Sequence, residues 1–357
     1  MLHQGRVLVV LLALFGLAVA GSACGPAVGK ATPTSTVGSP APSVTPSVTP
    51  TPAGCPTPAQ PPATALPGYR KQMGMTYDGA RNVVVLWGGL GGQDPCDLLN
   101  DTWTWNGSSW TRKSPNASPP PGNYPSMAYD ATHGLVVLLL GTQTWTWDGV
   151  TWAERHPATS PPARSDGAMA FDGATGKVVL FSGGVAPNDT WTWDGETWSQ
   201  LQPPVSPPAR LGAGMAYDEL HRVIVLFGGS DPTNTSNDLN DTWTFDGTTW
   251  TQQSLAAAPA ARYELRLAYN GRTQNVVLWG GRNDQTRTAF TDTWTWDGHQ
   301  WSQQTPANIP PWLATPGFAY DAARSQVVLF GSGGGAAGSQ HTSETWTWDG
   351  RNWTRRT

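Results

Sequence analysis

The sequence predicts an all-β fold, a six-bladed β-propeller of four-stranded antiparallel blades, and two observations carry that prediction. First, the chain holds 41 Gly, 32 Pro and 20 Trp among 357 residues, whereas only 13% of its residues are charged. Such a composition favours many turns and aromatic packing over helices. Second, a unit that ends in Thr-Trp-Thr-Trp-Asp-Gly-x-x-Trp, or a close variant of it, recurs six times. Its period lies in the range typical of propellers.

Each unit is opened by an aromatic residue, here called the aromatic anchor. The anchors are Tyr77, Tyr129, Phe171, Tyr217, Tyr269 and Tyr320. Successive anchors are 52, 42, 46, 52 and 51 residues apart, and one segment of 11, 1, 5, 11 and 10 residues accounts for the differences. Subtraction leaves 41 residues in every unit, so each blade is a fixed frame with one variable loop.

Four strands fit this frame. Met215 to Asp218 is typical of the first, and the β-branched run from Val223 to Gly229 predicts a second strand that is covered on both faces. Thr190 to Trp193 alternates with period two, which places both Trp side chains of a third strand on one face. Asp-Gly then supplies a hairpin turn, and the closing Trp begins the fourth strand.

The units resemble kelch repeats. The likeness covers residues 67–357 and rests on the Gly pairs after the second strand, such as Gly228-Gly229, and on the closing Trp of every unit. Some units depart from the pattern, as Leu140-Gly141 does. The resemblance implies a propeller that binds a ligand. Within that superfamily only some members, such as galactose oxidase, are enzymes, and no residues here match that enzyme's copper site.

The N-terminus is typical of an exported bacterial protein. Residues 1–23 read as a signal peptide with an apolar run from Val7 to Ala20. Gly21 to Cys24 resembles a lipobox, which predicts lipidation of Cys24, whereas Ala18-Val19-Ala20 would suit ordinary cleavage and secretion. Residues 24–66 form a Pro-, Thr- and Ser-rich linker that we expect to act as a semi-stiff stalk. We expect the protein on the outer face of the cytoplasmic membrane, held only by its lipid, or secreted.

The sequence has three cysteines, so one is left over if the other two form a disulfide in an oxidising compartment. If Cys24 takes lipid, Cys55 and Cys96 remain as a disulfide pair, the alternative being three free thiols. Residues 55–68 are also candidates for a segment that closes the ring.

Repeated side chains could serve chemistry or packing. The repeated Trp residues could stack on sugars, but a residue in the same place in every blade favours packing between blades. Trp87, Trp279 and Trp312 are less regular and therefore better candidates for ligand contact.

Acidic residues before Thr-Trp in five units could bind metal or catalyse, but Asx-type capping of their own loops is favoured. These residues are Asp101, Asp189, Asp241, Asp292 and Glu344. Four arginines seven residues before their anchors could clamp a substrate, but structural hydrogen bonding is favoured; they are Arg70, Arg164, Arg210 and Arg262.

We find no catalytic or metal-binding signature. The six His residues lack metal-ligand spacing, and the sequence contains no nucleophile elbow, phosphate loop or Cys-x-x-Cys. We therefore expect a monomer with no enzymatic activity, no metal and no cofactor. A net charge of −4 argues against a nucleic-acid partner.

Variable loops on a rigid scaffold are the usual place for binding. The loop between the second and third strands is long in blades 4, 5, 6 and 1, which predicts a crescent-shaped wall on one face of the ring. Its polar residues are our candidate ligand contacts: Asp94, Asp97, Asp231, Asp238, Arg282, Asp284, Arg287 and His341. The leading hypothesis is a surface-displayed module that binds a protein or a polysaccharide. The alternative is a carbohydrate-active enzyme that uses two loop carboxylates.

Overall fold

A computed structural model describes residues 66–357 except 93–94, 185–187 and 334–342. It confirms an all-β, six-bladed propeller of four-stranded antiparallel blades. The predicted signal peptide, the predicted stalk up to residue 65, and the residues Cys24, Cys55, Asp94 and His341 lie outside the described residues. No helix among the described residues is long and apolar enough to cross a bilayer.

Blades 1 to 3 consist of four consecutive strands each. A 3-10 turn, Pro95–Asp97, precedes the third strand of blade 1. The strands of these blades are β1 Gly74–Asp78, β2 Val83–Leu90, β3 Leu98–Trp105 and β4 Trp110–Lys113; β5 Ser126–Asp130, β6 Leu135–Leu140, β7 Gln143–Trp147 and β8 Trp152–Arg155; β9 Ala168–Asp172, β10 Lys177–Phe181, β11 Thr190–Trp193 and β12 Trp198–Leu201.

Blades 4 and 5 each add a two-stranded hairpin between their second and third strands, and blade 6 has a 3-10 turn, Ala322–Arg324, after its first strand. Their strands are β13 Gly214–Asp218, β14 Val223–Phe227, β15 Ser230–Asp231, β16 Asn234–Asp238, β17 Thr242–Phe245 and β18 Trp250–Gln252; β19 Arg266–Asn270, β20 Asn275–Trp279, β21 Arg282–Asn283, β22 Thr288–Ala289, β23 Thr293–Trp296 and β24 Trp301–Gln304; β25 Gly317–Asp321, β26 Gln326–Ser332, β27 Ser343–Trp348 and β28 Trp353–Arg355.

The second strand of every blade is buried on both faces, as its β-branched run predicts. Six hydrophobic clusters fill the spaces between blades, and each joins side chains of two neighbours. Between blades 6 and 1, Val328 and Phe330 pack with Val84, Leu86 and Trp110. The interface between the two ends of the repeat array is therefore built like the other five.

Hydrogen bonds from the closing Trp residues join the same neighbours. The indole Nε1 of each donates to the hydroxyl of a Thr in the preceding blade, at 2.8 to 3.0 Å. The pairs are Trp110–Thr345, Trp152–Thr102, Trp198–Thr144, Trp250–Thr190, Trp301–Thr242 and Trp353–Thr293. The first pair closes the ring from blade 1 to blade 6, so the described residues close it by side-chain packing without a shared strand.

The interpretation of the closing Trp residues as packing groups is confirmed, because all six are buried. Trp87 and Trp279, which we considered for ligand contact, are completely buried as well, so that expectation is wrong. Both side chains lie in the space between blades, Trp87 within β2 and Trp279 at the end of β20, and Trp87 packs edge-on against Trp152 of blade 2. Trp312 is partly exposed.

The four arginines are structural, as expected, but the acidic residues do not cap their own loops. Arg164 instead forms a bidentate pair with Asp189, both N–O distances being 2.9 Å, and donates to the carbonyl of Ser182. The Nε1 of Trp191 donates to the same carboxylate at 2.6 Å. We call this bidentate arginine–aspartate pair the clamp. Three more blades have it, with the pairs Arg70–Asp101, Arg210–Asp241 and Arg262–Asp292.

Candidate functional site

The loops between second and third strands share a face of the ring with the connections that enter each blade. Isolated bridges join the two kinds of segment, such as Leu211 with Ser230 in blade 4 and Tyr263 with Arg282 in blade 5. The central channel, lined by the first strands, opens on this face, which we call the mouth face. The predicted position of the variable loops, beside the connections, is therefore confirmed.

Five residues before each aromatic anchor, the backbone adopts the left-handed conformation, with φ between 44° and 62°. We call these six residues, one per blade, the mouth ring: Gln72, Tyr124, Asp166, Gly212, Glu264 and Thr315. Only Gly212 adopts this conformation without a steric penalty. The other five keep a strained backbone while each carries a different side chain.

Backbone hydrogen bonds link successive members of the mouth ring. The amide of Tyr124 donates to the carbonyl of Gln72 at 2.9 Å, and the amide of Glu264 donates to that of Gly212 at 2.8 Å. The same bond joins Asp166 to Tyr124, Gly212 to Asp166, and Gln72 to Thr315. Five of the six neighbouring pairs have this bond, which holds the strained backbone in place around most of the ring and fixes the starting direction of the side chains.

A polar strap crosses the opening. The Tyr124 hydroxyl accepts a hydrogen bond from Nε2 of Gln72 at 2.7 Å and donates to Oε1 of Glu264, in the opposite blade, at 3.0 Å. Nε of Arg282 lies 3.0 Å from the other oxygen of Glu264. Blades 1, 2 and 5 are thus joined across the channel by side chains alone.

Beside the strap lies a pocket of about 360 Å³. Its main lining residues are Tyr124, Asp166, Leu211, Tyr263, Glu264, Arg282 and Asp284, with Ser165 and Ser230 at its edge. The pocket is lined by residues of blades 2, 3, 4 and 5. We call it the mouth pocket.

Two of the loop residues predicted from the sequence, Arg282 and Asp284, line this pocket, and a third, Asp238, contacts one of them. Oδ2 of Asp238 accepts a hydrogen bond from the backbone amide of Asp284 at 2.9 Å, which joins the loops of blades 4 and 5. Tyr263 donates its hydroxyl to Oδ2 of Asp284 at 2.7 Å, and its ring lies 4.7 Å from the guanidinium carbon of Arg282.

The other predicted residues lie elsewhere or are not described. Asp231 accepts hydrogen bonds from Thr233 of its own turn, and Arg287 is exposed in the blade 5 hairpin. Asp97 belongs to the 3-10 turn of blade 1. Asp94 and His341 are outside the described residues, and so is the partner of the disulfide-bonded Cys96.

Electrostatics distinguishes Asp166 from its neighbours. Burial raises the pKa of its carboxyl to about 6, the nearby charge of Arg266 opposes the rise, and that of Glu264 adds to it. Burial also raises the pKa of Tyr124, to which the Glu264 charge contributes. For Arg282, burial would lower the pKa, but Glu264 and its other neighbours outweigh that effect and raise it.

Sequence reasoning missed Tyr124, Asp166, Tyr263 and Glu264. All four lie in connections of constant length, whereas the predicted site residues were those of loops whose length varies between blades. A usable signal was present: at the mouth-ring position and at the position just before it, the six blades carry six different residues within an otherwise regular frame. Among the described residues, no group of three or more His, Cys, Asp or Glu side chains could hold a metal ion.

A scan of the sequence against protein-family models gives no match, and a search of the curated proteins finds no similar sequence.

Proposed function

We propose that this chain is an exported, kelch-like propeller that binds a macromolecular ligand, a protein or a polysaccharide, at its mouth pocket without transforming it. The observation that carries the proposal is the mouth ring, in which five residues other than glycine keep a left-handed backbone. Such residues cost of order 1–3 kcal/mol each and cluster at ligand sites. Packing alone would be served by Gly, Asn or Asp at this position, whereas Gln72, Tyr124, Glu264 and Thr315 belong to none of these types.

The surroundings of the pocket support binding of a large ligand. The loops of blades 4 and 5 stand beside it, joined by the bond between Asp284 and Asp238. In blade 2, Gly141 and Thr142 alone separate the second and third strands. One side of the mouth is therefore high and polar, and the other is low and open.

The signal peptide, the lipobox-like Cys24 and the stalk support display outside the cytoplasmic membrane. A semi-stiff linker of this composition would hold the propeller away from the lipid. A displayed module needs a ligand face that points away from its anchor, and loops on one face of a ring provide one.

Both hairpin loops can be removed as units. The amide of Leu239 donates to the carbonyl of Gly229 at 2.8 Å, and that of Phe290 to the carbonyl of Gly281 at 2.9 Å. Each loop therefore begins and ends at a backbone hydrogen bond. Replacing Ser230 to Asp238, or Arg282 to Ala289, by two glycines should leave the blade frame intact.

The test screens the full chain against purified cell-surface proteins and envelope polysaccharides. We expect a ligand whose binding is lost in both loop replacements, while the thermal unfolding temperature falls by a few degrees at most. The control is the double variant Asp231→Asn with Arg287→Gln, which changes the same hairpins outside the pocket. Undiminished binding by the loop replacements would overturn the proposal.

One observation favours a second candidate, a carbohydrate-active enzyme. Asp166, with its raised pKa, shares the pocket with Glu264, and carboxyl groups in contrasting environments can serve as acid and base. Incubation with oligosaccharides labelled at the reducing end, followed by product analysis, separates the two. Cleavage that disappears in Asp166→Asn would replace binding by hydrolysis.

A further inference from the structure

Among the carboxylates that line the mouth pocket, Asp166 differs in its hydrogen bonding. Both oxygens of Glu264 are occupied, one by the Tyr124 hydroxyl and one by Arg282. Asp284 accepts from Tyr263. The carboxylate of Asp166 accepts no hydrogen bond from any residue that the structure describes. The pocket therefore contains one negative group without a protein partner.

The charged groups near Asp166 do not supply that partner. The charge of Arg266 acts on Asp166, but Arg266 directs its Nε to the carbonyl of Pro316 at 2.7 Å and an Nη to that of Leu265 at 3.2 Å. Arg282 pairs with Glu264, whose own charge opposes ionisation of Asp166. Tyr124 and Tyr263 direct their hydroxyl protons to other carboxylates.

Asp166 stands where the mouth pocket meets the channel, since it lines both. Its Oδ2 lies near Gly212, and a Cβ at that glycine would come within 3.1 Å of the oxygen. The neighbouring position is thus kept free of a side chain. A partly desolvated carboxylate in this setting favours a cationic partner that arrives through the pocket.

We propose that the mouth pocket takes a lysine side chain of a protein ligand, with the ammonium group on Asp166. This inference rests on the proposed binding function and names the group that is recognised. Three carboxylates and one guanidinium line the pocket, so its charge suits a cation. The apolar stem of lysine fits a lining that includes Leu211 and the rings of Tyr124 and Tyr263. An ammonium group has three hydrogen-bond donors, and Ser165, whose hydroxyl is an acceptor, also lines the pocket.

The alkylammonium assignment predicts a defined pH dependence. A lysine amine stays charged up to pH about 10, so the acid limit of binding is set by Asp166. Binding should weaken as the pH falls through about 6, where Asp166 takes up a proton.

The probe is Nα-acetyl-lysine methylamide, titrated into the full chain at pH 7.5 by ligand-observed NMR. The matched ligand is the norleucine analogue, which has nearly the same shape without the charge. We expect the lysine probe to bind at least tenfold more tightly than the norleucine probe. Asp166→Asn should abolish that preference, Asp231→Asn should retain it, and lowering the pH to 5 should reduce it several-fold. Equal binding of the two probes, or a preference that survives in Asp166→Asn, would overturn the lysine assignment.

Different results would remove the lysine assignment and the proposed binding function. A ligand that is lost in the loop replacements but is indifferent to Asp166→Asn would leave the binding function standing and remove the lysine assignment. An amine-free polysaccharide held at the mouth pocket would do the same. A ligand that is indifferent to both changes would remove both.

Discussion

Arg164 and Asp166 lie two residues apart in the connection that enters blade 3, and their roles differ. Arg164 is buried, pairs with Asp189, and has an equivalent in three other blades. Asp166 follows it on the mouth ring, where every blade has the same backbone and a different side chain. The first position holds the blade together, and the second lines the mouth pocket. In a repeat protein, some positions have the same backbone conformation in every repeat but a different side chain. Such a position is therefore a better guide to function than one where both the backbone and the side chain stay the same.

The blades that lack the clamp sharpen this contrast. In blade 2, Gly122 and Gln143 stand at the two clamp positions, so both charges are missing together. Leu140 and Trp87 pack against Gly122 and take up the space. Because the Arg and the acid disappear as a pair, neither is left as an isolated buried charge.

The largest effect should come from breaking one clamp. Arg164→Ala leaves the buried Asp189 carboxylate without its guanidinium, which should lower the free energy of unfolding by about 3 to 5 kcal/mol. Urea denaturation measures the loss. Replacing both residues, Arg164→Leu with Asp189→Asn, should cost less than the single change, as blade 2 suggests. A single variant as stable as the double one would contradict the pairing.

A smaller loss should follow removal of one indole hydrogen bond from the constant frame. Trp110→Phe removes the bond to Thr345 at the junction of blades 1 and 6 and leaves a small cavity, at a cost of about 2 kcal/mol. Trp198→Phe removes the equivalent bond to Thr144 between blades 3 and 2. Thermal unfolding should show equal losses, since all six interfaces are alike. A much larger loss at the junction would show that closure there relies on additional interactions.

The sequence was sufficient to predict the frame but not the mouth ring. Repetition places Thr190 to Trp193 on a third strand with its first and last residues correct. The left-handed turn at Asp166 depends on a bond from its amide to Tyr124 of the neighbouring blade, which no local pattern reports. Glu344 also shows this limit of local patterns. Leu313 replaces its arginine, so the carboxylate pairs with Arg355 of the fourth strand, a contact that depends on strand register.

Asp166 and two of the clamp aspartates, Asp101 and Asp241, should respond to pH with opposite signs. Burial raises the folded-state pKa of Asp166 to about 6, so its ionisation destabilises the fold as the pH rises from about 4 to 6. Burial would also raise the pKa of Asp101, but hydrogen bonds from Arg70 and its charge outweigh this and lower it. The stability from that clamp is present above the unfolded-state pKa and is lost as the pH falls through the folded-state value.

The variant Asp166→Asn isolates the mouth contribution. It should be more stable than the parent at pH 7.5 by about 1 to 2 kcal/mol, and the advantage should shrink toward pH 4. Thermal unfolding of both proteins across this range gives the difference directly. A constant difference between the two proteins would show that Asp166 does not titrate differently on folding.

The smallest effect on stability should come from cutting the strap. Tyr124→Phe removes the hydroxyl that joins Gln72 to Glu264, in a pocket where water can replace it, so the cost should stay below about 1 kcal/mol. Tyr129→Phe is the control, because its hydroxyl accepts a bond from the backbone of Ala80 away from the pocket. Both variants should unfold near the parent temperature, but only Tyr124→Phe should change the affinity for a mouth-pocket ligand. A stability loss as large as that of Arg164→Ala would make the strap part of the frame, and the distinction between the clamp position and the mouth-ring position would then not hold for Tyr124.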